Sequence, residues 1–455
     1  MIRLGMFGAV AVIADVAAAI DSAQDPAASA QDLAASVQDL AASVQDPVQF
    51  SNPAPVSEPA SDLNAEPIPG LSGGQGAVQG SEPSSIPGLV PETNWDFGGY
   101  VTYLVTASWP DAADHGLDHL IHQRFNAEYR FTSALRLNAG MRNRLLFGDS
   151  AELQGFARLV GADAGYMDLT HNWFEKNGVV GTSQFDRLYL TWQPPGWQLQ
   201  AGRFRVNWGM ATVWNPNDIF NAYSIYDVDY EERRGTDAVR ISRKLGFASS
   251  VEAVHSPARD SALESFAGRY GFNHQGWDYQ LLAGKSGLDR VIGAGLAGEF
   301  AGAGVRGEVS WFEPNRDQWR GIALKATAVA SAEVDYSFGG DRNWLARAAL
   351  LYTSTPQPRQ DAVLFLNLPL TARTLSFTEL GSYAGLDFDW SALSRVGLSA
   401  TYYNDGSFFL GVSNTYSLAD DWQMLTVLQR FDGSTDSLFG QSAATLLYWQ
   451  LRWSF

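Results

Sequence analysis

The sequence predicts an all-β chain that closes into an antiparallel transmembrane barrel of about 18 strands, within a range of roughly 16–18. Three observations predict it. The 455 residues are 45% hydrophobic and only 18% charged, with 44 Gly, 15 Trp, 17 Tyr and 25 Phe. The body of the chain nevertheless has no apolar run of the ~18 or more residues that a membrane helix needs. From Trp95 onward, apolar and polar residues alternate with a period of two, which places the two sets on opposite faces of a strand. Connections then tend to alternate between short and long, the habit of barrels with short periplasmic turns and longer extracellular loops. The chain has no cysteine and a net charge of −18. Disulfide frameworks and cysteine-ligated metals are therefore excluded, and a nucleic-acid partner held by charge is disfavoured.

Residues 1–23 read as a signal peptide. Arg3 precedes an apolar stretch, Leu4 to Ala14, and Ala17, Ala18 and Ala19 follow. The bland alternative is a mis-set start or a disordered tail. Residues 24–46 repeat Gln-Asp-(Leu/Pro)-Ala-Ala-Ser-(Val/Ala) every seven positions. Leu33, Val37, Leu40 and Val44 alternate spacings of four and three, the seam of a coiled coil. Two readings stand: repeat slippage in a disordered spacer, or a short helix on the periplasmic side that would gather a homotrimer. Residues 47–94 are rich in Pro, Ser, Gly and Glu and read as a linker. Residues 1–94 hold eleven acidic side chains and one basic, so much of the negative charge sits on this tail.

Residues 95–455 are the expected barrel. Ile121, Phe125, Tyr129 and Phe131 oppose His122, Arg124, Asn126, Glu128 and Arg130. Leu135, Leu137, Met141, Leu145 and Phe147 oppose Arg136, Asn138, Arg142 and Arg144. Leu188, Leu190 and Trp192 oppose Arg187, while Phe204, Val206 and Trp208 oppose Arg203 and Arg205. Val305, Val309 and Trp311 oppose Arg306 and Glu308. In the last strand Leu447, Trp449, Leu451, Trp453 and Phe455 share a face. A lipid-facing belt accounts for so many aromatic residues at strand ends. A strand in lipid cannot leave backbone groups unpaired, so the sheet must close. The tight Asn404-Asp405-Gly406 connection falls on the long-loop side, against the trend.

Residues 207–236 form the expected third extracellular loop. Trp214, Ile219, Phe220, Tyr223, Ile225 and Tyr226 make it too apolar to stand in water alone. Folding back into the lumen would bury those rings and narrow the hole. The segments "AGRFRVNWG", "WNPNDIFN" and "RRGTDAVRI" resemble porin-like outer-membrane barrels, alginate-export-type porins and related uncharacterised barrels among them. The terminal "YWQLRWSF" resembles the signal that barrel-assembly machinery reads, ending on Phe455. The resemblance covers about 50 residues and the last strand. It implies an outer-membrane location and lipid and assembly-machinery partners, while the even strand count puts both ends, and so the N-terminal segment, on the periplasmic side.

Arg124, Arg136, Arg142, Arg144, Arg187, Arg203, Arg205, Arg240, Arg306 and Arg347 are expected on the lumen face. Guanidinium groups are always charged and fork to carboxylate or phosphate. The constriction loop presents Trp214, Asn215, Asn217, Asp218, Asp227, Asp229, Glu231 and Glu232. Together these predict a porin for passive diffusion of small polar or anionic solutes, since rings of charge set pore selectivity. Two bland readings sit beside it. Any one arginine can instead pair with Glu128, Glu308, Glu333 or Asp335 to stiffen the wall, and the loop aromatics can be packing rather than a sugar track. The alternative function is a loop-plugged barrel acting as a surface receptor or secretion partner. No enzyme, cofactor or metal site is expected. His115, His119 and His122 have helical spacing, but a strand puts His119 and His122 on opposite faces. His255 and Ser256 are adjacent only in sequence, and no Gly-x-Ser-x-Gly or phosphate-loop motif occurs.

Overall fold

A computed structural model of the chain describes residues 94–228, 235–357 and 370–455, and the backbone of 48–50. The expected signal, the heptad repeat and nearly all of the linker lie outside the described residues. Eighteen antiparallel strands close into one barrel. In chain order they are β1 (Trp95–Pro110), β2 (Gly116–Arg130), β3 (Leu135–Gly148), β4 (Val179–Trp192), β5 (Trp197–Phe204) and β6 (Thr236–Lys244). Then come β7 (Ser249–Ser256), β8 (Ser265–His274), β9 (Trp277–Ser286), β10 (Asp289–Phe300), β11 (Ala303–Pro314) and β12 (Thr327–Gly339). The last six are β13 (Trp344–Thr353), β14 (Leu380–Ser391), β15 (Ser394–Tyr403), β16 (Ser407–Ala419), β17 (Trp422–Gly433) and β18 (Ala444–Ser454). Each strand pairs with the next in sequence. The ring closes where β1 meets β18, in register from Tyr100↔Ser454 to Pro110↔Ala444.

Even parity puts both ends of the barrel chain on one rim. The turns there are short: 131–134, 193–196, 245–248, 275–276, 301–302, 340–343, 392–393 and 420–421. The long connections 149–178, 205–235 and 354–379 are on the other rim. So are the tight 404–406 turn, which departs from the trend as the sequence foretold, and the two-residue 287–288 turn, which the sequence reading did not single out. Within 149–178, a short strand Thr170–Lys176 pairs with the upper half of β4. The lower half of β4 pairs with β5. The inserted strand thus continues the wall where β5 stops. The backbone of Val48–Phe50 pairs antiparallel with Tyr226–Val228.

The outer surface is apolar and open: Val309, Leu350, Leu398, Leu428 and Ile292 are all exposed. Large rings gather at the turn rim, with Trp95, Phe97, Phe131, Trp192, Phe338, Trp390, Trp453 and Phe455 exposed. A second set, Trp109, Phe266, Trp311, Tyr352 and Tyr402, lies toward the loop rim. An apolar band between two aromatic girdles is the form of a membrane-spanning barrel.

One stretch departs from the expected alternation. Phe204, Val206 and Trp208 were expected outside, yet they are 2%, 0% and 0% exposed and belong to the interior cluster. The strand ends at Phe204, and Val206 to Trp208 are already the stem of a loop turning inward. The register runs unbroken to the end of β5, so Phe204 shares the inward parity of the buried Gln200. Gly202 between them has φ of +128°, where a Cβ would meet the Leu188 carbonyl at 2.2 Å. Only glycine fits that conformation and that approach. Leu199 and Ala201 keep the outward row, and Arg203 follows in that parity rather than on the lumen face expected from sequence.

The belt makes a direct prediction. Leu398→Arg, outward and central in β15, should destabilise the barrel in lipid by about 2–4 kcal/mol. Reversible denaturant unfolding in vesicles measures it, and no loss would contradict the membrane-facing assignment.

Candidate functional site

The connection 205–235 has bounds within two residues of those expected from sequence, and its described residues 205–228 fold inside the barrel. Three wall glutamates grip it in succession. In β7, Glu252 accepts the indole N–H of Trp208 at 3.2 Å. In β11, Glu308 accepts the backbone N–H groups of Met210, Ala211 (2.7 Å) and Asn217 (2.9 Å). In β12, Glu333 accepts the N–H groups of Thr212 (2.8 Å) and Val213 (2.9 Å), and the Thr212 hydroxyl (2.8 Å). Carboxylate-to-amide bonds of this kind are charge-assisted and stronger than neutral ones. Gln280 donates to the Trp208 carbonyl at 2.7 Å. Asn217 donates to the Ala294 carbonyl at 2.9 Å and accepts from Ser310 at 2.8 Å. Gly293 and Gly295 make room for it, because a Cβ at either would lie under 3 Å from the Asn217 amide.

The loop then crosses the lumen. Trp214 meets Tyr383 edge-on at 6.3 Å. Tyr226 packs on Phe409 (4.8 Å) and Phe431 (5.4 Å), and its hydroxyl lies 2.7 Å from that of Tyr403. Leu375, Phe377 and Phe439 from other loop-rim connections join the same buried cluster. Of the loop residues singled out from sequence, Trp214, Asn215, Asn217 and Asp218 are buried inside the barrel and Asp227 is half-buried. Asp229, Glu231 and Glu232 lie outside the described residues.

The arginines divide into groups. Arg124, Arg142 and Arg144 rise from β2 and β3 in adjoining rows, with Arg124↔Arg142 and His122↔Arg144 in register. Arg452 of β18 joins them over the Tyr100 ring at 4.1 Å. This face lies half a turn of strands away from the glutamates of β11 and β12. Arg124 donates to Asp186 at 2.7 Å, Arg142 twice to the neutral Gln184 oxygen, and Arg144 to the Val160 carbonyl. All three are at most 2% exposed. Arg306 pairs with Glu333 at 3.0 Å and with Asp335, and Arg347 lies 3.9 Å from Glu333. These two brace the carboxylate that holds the loop. Arg240 lies 3.8 Å from Glu252, Arg136 lies 3.8 Å from Glu128, and Arg187 donates to the Asp186 carbonyl. Arg205 is half-buried in the loop stem.

Arg203 is committed elsewhere. It bonds both oxygens of Asp237 (2.7 and 2.9 Å), both of Asp163 (2.8 and 3.0 Å), and the carbonyls of Phe185 and Met167. It pins loop 149–178 at the seam where the inserted strand hands over to β5. A cavity of about 300 Å³ opens beside it, lined by Tyr166, Gln184, Asp186 and Ser256. Burial pushes the Asp163 carboxyl up, but Arg203 and the N–H groups of Gly165 and Leu169 outweigh burial and hold it below its ordinary value.

His119 and His122 fall on opposite faces. His119 bonds the Tyr103 hydroxyl, while His122 is buried inside. His255 pairs with Glu264. Sequence reasoning placed Glu308 and Glu333 in the lumen but read them as partners for arginine, and it missed Glu252. The available signal was a loop stem of small residues, Gly209-Met-Ala-Thr-Val, whose bare N–H groups need acceptors.

Removing Arg203 should therefore cost stability. Arg203→Gln strands two buried carboxylates, a loss of about 3–5 kcal/mol, read as a fall in the thermal unfolding temperature. The lowered Asp163 carboxyl gives the pH sign. Its contribution is complete above about pH 4, the unfolded value, and is lost as pH falls through the lower folded value. An unchanged melting point at neutral pH would contradict the keystone role.

No family model matches the chain, and no curated protein matches it. Solved structures match its fold. The outer membrane protein OprD from Pseudomonas aeruginosa aligns with a TM-score of 0.54 at 8% identity, covering 80% of this chain and 93% of that one. OccAB4 from Acinetobacter baumannii gives 0.52 at 7% identity, covering 80% and 98%. OccK5 (OpdH) from P. aeruginosa gives 0.51 at 8% identity, covering 79% and 98%. This chain shares the barrel architecture of those proteins.

Proposed function

We propose that the chain is an outer-membrane porin through which small polar or anionic solutes diffuse passively. One observation supports this above the rest. The inward loop is tied by Glu252, Glu308 and Glu333 to one side of the lumen, and Arg124, Arg142, Arg144 and Arg452 occupy the other. A closed barrel of this size has a lumen wider than side chains alone fill. A loop fastened at β7, β11 and β12 and packed as far as β16 and β17 leaves the solute path against the remaining, basic wall of β18, β2 and β3. Charge one side chain behind a lumen surface still sets its field, because attraction falls only inversely with distance in a poorly screened site. Likeness of fold to an outer membrane protein supports the location. On this reading the N-terminal segment is periplasmic, Phe455 is read by the assembly machinery, and the rim that carries the long loops is the extracellular one. The alginate-export-type likeness rests on the sequence motifs alone.

A second reading has its own observation. Residues of loops 205–235 and 354–379 are buried in one cluster, Trp214 and Tyr226 with Leu375 and Phe377. Two loops packed together favour a plugged barrel serving as a receptor or secretion partner.

Planar-bilayer recordings separate the two. The porin reading predicts discrete conductance steps with a preference for anions. Arg142→Glu with Arg144→Glu should shift reversal potentials toward cations. Absence of steps would support the plug, and unchanged selectivity would remove the basic wall.

A further inference from the structure

The outer face of the barrel holds a polar row where lipid would tolerate none. Gln123, Asn143 and Ser183 are register partners across β2, β3 and β4. They alternate with the outward residues Ile121, Phe125, Met141 and Leu145, so they share the outward face. Gln123 is central in the 15-residue β2, midway between the two aromatic girdles. Asn143 donates to the Gln123 oxygen at 2.7 Å, and Ser183 donates to the Asn143 oxygen at 2.6 Å. The Gln123 amide N–H groups donate to nothing among the described residues. On the opposite wall the central outward position is apolar, Val309 of β11, 45% exposed.

We infer that this row is an intramembrane interface with a second copy of this chain. The inference rests on the membrane reading above. An amide facing acyl chains gives up its water partners and gains nothing in return. Lipid headgroups, which could accept its hydrogen bonds, lie at the rims and not at mid-height. Interfaces inside membranes are held by such neutral amides and hydroxyls bonding across the contact. The row holds donors and acceptors side by side, with no net charge. A two-fold contact sets each patch against its own copy, so the Gln123 donors of one chain meet the oxygens of its partner, and the reverse. A self-complementary neutral row fits that arrangement better than a partner of different composition.

The absence of cysteine makes the test clean. Gln123→Cys and, as control, Val309→Cys are each expressed in the full chain. Isolated outer membranes are oxidised with copper phenanthroline and run without reductant. The interface predicts a band of twice the chain mass for Gln123→Cys and none for Val309→Cys. In chemical cross-linking of otherwise unaltered membranes, Asn143→Leu with Ser183→Leu should reduce the dimer to the level of the control. Heat-modifiable gel mobility verifies that each variant is folded. Equal cross-linking at the two positions, or an adduct only with a protein of another mass, overturns the second-copy interface while leaving the barrel reading intact. A folded chain absent from the membrane fraction overturns the membrane reading itself.

Discussion

Backbone hydrogen bonding in a medium without water is the constraint from which this structure follows. In hydrocarbon, each unpaired N–H or C=O costs several kcal/mol. A sheet there has no permissible edge, and β1 must find β18. Antiparallel closure fixes an even strand count, sets both barrel ends on one rim, and leaves the opposite rim free to carry long segments. It also creates an interior that the wall strands cannot fill by themselves.

That interior is organised by a second application of the same rule. Residues 209–217 enter the barrel with no strand partner for their amides, and those donors cannot be left bare. Carboxylates standing on the lumen row of β11 and β12 accept them. Arg306 and Arg347 then flank Glu333 and offset its charge. Positive and negative groups on this wall thus serve the loop, whereas Arg124, Arg142 and Arg144 stand apart on β2 and β3. Arg203 belongs to neither group, since its six hydrogen bonds close the seam above the short β5.

Much of the architecture was legible in sequence because a period of two is a local property. Leu447 to Trp453 and Ile121 to Phe131 reveal their faces without knowledge of any neighbour. The tight 404–406 turn and the inward loop followed from connection lengths and from the apolar content of that loop. Phe204 to Trp208 misled, because Phe204 takes the inward parity of the last strand position and the alternation then continues in the letters after the strand has ended. Nothing in the sequence signals the φ of +128° at Gly202 beyond the glycine itself. The glutamate latch was hidden for a different reason. Glu308 lies 91 positions from Asn217 and Glu333 lies 120 from Val213, and such pairings depend on the register of the closed sheet.

The proposed pore depends on whether the glutamates of β11 and β12 hold the inward loop in place. Swelling of proteoliposomes in neutral sugars of graded size tests this most directly, comparing the native chain with Glu308→Gln/Glu333→Gln. The native protein should admit only the smallest sugars, and the double variant should admit larger ones. Identical size limits for the two, or a native barrel that admits no sugar at all, would contradict it.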